Sequence, residues 1–101
     1  MGLFRHQKTP AEVVRKVQDD LVRLLGEPAD REAALQQASK HVGQLKAMIL
    51  GEGPAEPPEG AARQAVEEAA KGNLLRLLCL GMHLLPFEAR KDGAFVFNAV
   101  L

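Results

Sequence analysis

Residues 74–101, LLRLLCLGMHLLPFEARKDGAFVFNAVL, form the densest apolar stretch of this 101-residue chain and carry three of its four Phe: Phe87, Phe95 and Phe97. The pattern leaves little freedom. Leu74, Leu75, Leu77, Leu78, Leu80, Met82, Leu84 and Leu85 cover nearly all faces of a helix, so a helix here is expected to be buried. Pro86 is expected to break it. A further helix follows from about Phe87, with Phe87, Ala94, Phe95, Asn98 and Leu101 at helical spacing and Arg90, Lys91 and Asp92 outward. Gly93 weakens that helix by about 1 kcal/mol relative to Ala and suggests close approach of a neighbour. The stretch stops at Val100 and Leu101 amid apolar residues, with no capping residue, Gly or basic last turn. The last helical carbonyls and the apolar face both need partners. The expectation is a segment that works within something larger.

The remainder also reads as helix. Tyr and Trp are absent, β-branched residues are few, and no alternating run extends far enough for a strand. Thr9 can cap a first helix, Pro10 suits its first position, and Glu12 completes a capping box. Val13, Val14, Val17, Leu21, Leu24 and Leu25 form its apolar stripe, with Glu12–Lys16 and Asp19–Arg23 opposite. Gly26 and Pro28 end it. A second helix spans about Asp30 to Leu50, with Leu35, Ala38, Val42, Leu45 and Ile49 as its seam. Gly51 stops it, and residues 51–60, GEGPAEPPEG, make an acidic Pro/Gly loop inside a single segment covering 1–101. A third helix, about Ala61 to Lys71, is Ala-rich, with Val66 as its one large apolar residue.

These elements predict an all-α chain of antiparallel helix pairs. A pair of about 40 residues falls in the size range of armadillo and HEAT units, although the same helices also suit an up-down bundle.

Charge narrows the function. Lys+Arg and Asp+Glu are both 13, for a net charge of zero. Binding nucleic acid by phosphate neutralisation, or an anionic membrane surface, needs a basic excess. No nucleic-acid or membrane partner is therefore expected. The apolar run 74–85 carries Arg76 and His83 and falls short of the roughly 20 residues of a spanning helix. The start, MGLFRHQK, follows Leu3–Phe4 with charge rather than with an apolar run, so it does not read as a signal peptide. Gly2 does not read as a myristoylation site, because His6 stands where Ser or Thr is required. A lone cysteine, Cys79, excludes an internal disulfide and a cysteine-cluster zinc site, and fits a reducing, intracellular setting.

No catalytic constellation emerges, and no enzyme activity, cofactor or metal is expected. His6 lies in the ragged start, His41 at the edge of the second seam, and His83 on the apolar fourth helix. Cys79 and His83, at i and i+4, could share one helix face as zinc ligands. The plainer reading is a core thiol beside a partly buried imidazole. The adjacent pairs Asp19–Asp20 and Glu67–Glu68 point to different faces and read as solvated charges. Thr9 and Ser39 are the only hydroxyl side chains, and no phosphate-cradling GxxxxGK[ST] run exists. No calcium loop is present. Arg90–Lys91 with Arg76 reads as a wet helix face, and the Phe4, Phe87, Phe95 and Phe97 set as core rather than as a peptide groove.

Several stretches resemble the N-terminal part of the calcium-binding protein 39 family, the Mo25-like kinase scaffolds. GLFRHQKTPAEVVRKVQDDLVRL is similar to that family's opening, a Phe-containing basic segment followed by an (S/T)-P-A-x-(I/V)-V helix. LKAMILGEGPAEP is similar to its helix ending in K-x-(I/M)-L-(Y)-G before an acidic, Pro-containing loop. PFEARKDGAFVFNAVL resembles its D-F-E-x-(K/R)-K-D-(V/A)-x-x-(I/V)-F-N-N-(I/L)-L motif, with Phe87, Glu88, Lys91, Asp92, Phe97, Asn98 and Leu101 on matching positions. Pro86 replaces an Asp, Gly93 a larger apolar residue and Ala99 the second Asn.

The resemblance implies the N-terminal portion of an armadillo-like α-solenoid and a cytoplasmic, non-enzymatic scaffold in signal transduction. Such a scaffold binds and activates protein kinases and pseudokinases of the sterile-twenty class. It assigns no partner-binding residue to this segment and leaves those residues unknown, because the family's peptide pocket and much of its kinase-facing concave surface lie in later repeats. The alternative expectation is a small free-standing helical protein that self-associates through its Phe-rich last helix, without a kinase partner. Val96, Val100 and Leu101 are expected to expose apolar surface and to favour self-association.

Overall fold

A computed structural model describes residues 9–51 and 60–101, which place five α-helices and one short 3₁₀ turn in sequence. The first eight residues, with Phe4 and His6, and most of the Pro/Gly loop (52–59) lie outside the described residues.

Helix α1, Pro10–Leu25, begins as its sequence predicts. The Thr9 hydroxyl accepts the Glu12 backbone N–H at 3.2 Å, and the Glu12 carboxylate accepts the Thr9 N–H at 2.9 Å. Val13, Val14, Val17, Leu21 and Leu24 are all buried, so a single stripe faces inward. The helix ends at Gly26, whose N–H bonds the carbonyls of Val22 and Arg23. The left-handed residue of this turn is the next one, Glu27, at φ 58°. Pro28 follows and prevents the helix from resuming.

Helix α2, Arg31–Leu50, is capped by Asp30, whose carboxylate accepts the Ala33 N–H at 3.0 Å. It ends at Gly51, at φ 76°, a conformation that glycine adopts without steric cost. Ala34, Ala38, Val42 and Leu45 are buried, while Leu35 and Ile49 flank this seam half-buried.

Helix α3, Ala61–Lys71, turns Ala61, Ala65 and Ala69 inward at i,i+4 spacing. The one larger apolar side chain, Val66, is half-buried beside that face. Small side chains let α3 lie close to α1 and α2, against which it packs.

Helix α4, Leu74–Gly81, gives way to a 3₁₀ turn, Met82–Leu84, and Pro86 then precedes helix α5, Phe87–Val100. The α-helix thus ends five residues before the proline expected to break it. The fourth helix is also not buried all round. Leu74, Leu77 and Leu78 are interior, but Leu80 is 50 % exposed and Cys79 faces solvent. The helix lies at the edge of the bundle, touching α1, α3 and α5 on one side, so apolar residues beyond that side stay outside.

The buried face of α5 differs from the expected one as well. Ala89, Gly93 and Val96 are interior, whereas Phe87 and Asn98 are exposed. Val96, expected outside, is 1 % exposed. Gly93 lies against Met82, Leu78 and Leu85, where only a small residue fits. The bulkier Phe95 and Phe97 flank this contact and pack half-buried on the main core.

The architecture is all-α, with the helices in antiparallel packing. Among the described residues there is no strand. The main core joins Val13, Val14, Val17 and Leu21 of α1 to Val42 and Leu45 of α2, Ala65 and Ala69 of α3, Leu74 and Leu78 of α4, and Val96 of α5. A second cluster lies at the other end of α1, where Leu24 meets Ala34, Ala38, Leu85 and Ala89. Helix α1 contributes to both clusters and touches α2, α3 and α4.

Candidate interaction surface

The residues with the most chemical potential are dispersed. His41, expected at the edge of a seam, is buried on α2, and its Nδ1 meets the carboxylate of Asp20 on α1. Asp20 is consequently not the solvated charge that its adjacency to Asp19 suggested; its side chain is largely covered. Spacing within one helix carries no sign of this pair, because the partners are 21 residues apart on different helices.

Cys79 and His83 are both exposed, which corrects the reading of a core thiol beside a partly buried imidazole. Cys79 is on α4, whereas His83 falls in the 3₁₀ turn after the helix has ended. Among the described residues no group of three His, Cys, Asp or Glu side chains converges as a metal site would require. No helix among them is long and apolar enough to cross a membrane.

The charged side chains serve local and interhelical pairing. Glu67 receives Arg63 at 3.3 Å, and Glu68 receives Lys71 at 3.2 Å. Lys46 of α2 reaches Asp92 of α5 at 3.2 Å and lies 5.7 Å from the Phe95 ring centre. Asp92 was expected to point outward; it is instead half-buried in this interhelical pair. Arg90 donates to the Leu85 carbonyl at 3.1 Å, closing the turn before α5, and Lys91 lies 5.4 Å from the centre of the Phe87 ring. The Arg90–Lys91 dipeptide is thus partly tied into the fold. A depression lined by Glu12, Arg15, Lys16 and Asp19 lies along one helix, a charged open face rather than an enclosed pocket.

Among the described residues, Val22 and Leu25 of α1, Leu80 of α4, Phe87 of α5, Leu50 at the end of α2 and Leu101 are the large apolar side chains left exposed. Phe87, at 67 %, is an aromatic ring presented on the outside, contrary to its expected place in the core. Leu25 lies beside Gly81 of α4, so the α1–α4 seam reaches the surface there.

Comparison with known proteins places this helical array. The Mo25-like family matches residues 2–101, nearly the whole chain. The chain belongs to the Mo25-like family. It is 32 % identical to human calcium-binding protein 39-like over 102 aligned residues, covering 100 % of this chain and 30 % of that protein. It is 33 % identical to MO25-like protein 2 of Caenorhabditis elegans, covering 93 % of this chain and 29 % of the relative. The conidiophore development protein hymA of Emericella nidulans is 33 % identical over 94 residues, covering 93 % of this chain and 24 % of the relative. The chain therefore spans under a third of the length of these relatives. No solved structure matches it.

Within the family motif at 86–101, Phe97 packs on the core and Asp92 pairs with Lys46. Glu88, Asn98 and Leu101 are exposed. The motif thus mixes positions that hold α5 in place with positions that face outward.

Proposed function

We propose that this chain is the N-terminal helical part of a non-enzymatic, cytoplasmic scaffold that binds and activates protein kinases or pseudokinases of the sterile-twenty class. The observation that carries this reading is the match of residues 2–101 to the Mo25-like family.

The mechanism is differential affinity. A scaffold that contacts the active kinase conformation better than the inactive one shifts the population by the difference in binding free energy. A preformed helical surface suits that task, because little ordering free energy is spent on binding. In this reading the five helices supply a packed end of the helical stack, and partner contact lies in later repeats.

The test is a pull-down with sterile-twenty kinases. The segment alone is expected to capture none. A chimera in which the segment replaces the matching N-terminal third of a Mo25-like relative is expected to capture the kinase. Capture by the isolated segment would place a binding site within these residues and overturn the assignment of partner contact to later repeats.

Self-association through a Phe-rich last helix is not favoured. Phe95 and Phe97 pack on the core of their own chain, and Val96 is buried, leaving Phe87 as the one fully outward ring of α5.

A further inference from the structure

We draw no further inference here: the strongest candidate, the exposed apolar side chains Val22 and Leu25 at the C-terminal end of α1 where Leu25 meets Gly81 of α4, carries nothing because nothing in the structure shows what covers that surface patch.

Discussion

The carboxylate of Asp20 on α1 meets Nδ1 of His41 on α2, at a point where the imidazole is 7 % exposed. It is a polar contact between two helices whose facing residues are otherwise mainly Val, Leu and Ala. Sliding α2 by one turn, about 5.4 Å, would bury the imidazole without this partner. The pair therefore favours one register of α2 on α1.

Asp20→Ala is accordingly expected to cost about 1–3 kcal/mol, the usual penalty for leaving a buried polar group unsatisfied. A double-mutant cycle with His41→Ala should give a coupling of about 0.5–3 kcal/mol. Urea unfolding of the four proteins measures it. Additivity within about 0.3 kcal/mol would mean that the pair does not stabilise the register.

The Thr9–Glu12 capping box holds the start of α1, which, like α2 and α5, contributes to both core clusters. Thr9→Ala should lower stability by about 1 kcal/mol, and Thr9→Ser should retain most of it. Thermal melting followed by circular dichroism reads both. An unchanged midpoint for Thr9→Ala would show that α1 is held by packing alone.

Gly93 gives a prediction of opposite sign. A methyl group there would sit 3.4 Å from Met82 Sδ and 3.5 Å from Leu78 Cδ2, ordinary contact distances. Gly93→Ala should therefore keep the packing and recover helix propensity, stabilising by roughly 0.5–1 kcal/mol. Gly93→Leu should overfill the site and destabilise by about 1–3 kcal/mol. Denaturation midpoints for the two variants must move in opposite directions, and a destabilised Ala variant would refute this account of the contact.

Cys79 faces solvent on α4, so a thiol reagent should label it in the folded chain at a rate close to that of the unfolded chain. Cys79→Ser should change stability by no more than about 0.5 kcal/mol, as at other surface positions. Protection of the thiol until global unfolding would return Cys79 to the core.

Which parts of this fold can be read from the sequence follows from what periodicity reports. It identifies residues that share a face, so the α1 stripe from Val13 to Leu24 and the α2 seam through Ala38, Val42 and Leu45 were legible. Thr9, Asp30 and Gly51 act locally, and the ends they set were legible too. Periodicity does not report how many sides of a helix its neighbours cover. In α4 apolar residues cover nearly every face, but only one side is covered by neighbours, which places Cys79 and Leu80 outside. In α5 the face is chosen by size: Ala89 and Gly93 fit the close contact, and the Phe residues are displaced to its flanks or to solvent. The Asp20–His41 pair depends on how two helices register, which no spacing within either one encodes. The family motif at 86–101 was legible, but which of its positions face a partner was not, because a partner surface is defined by the partner.

The most direct test of the central claim replaces the matching N-terminal third of a full-length Mo25-like relative with this 101-residue chain and measures activation of a sterile-twenty kinase in vitro. The account predicts a folded chimera, with a single cooperative melt, that binds the kinase and raises its activity to a level comparable with the intact relative. A chimera that melts cooperatively yet leaves kinase binding and activity at their unstimulated levels would contradict it.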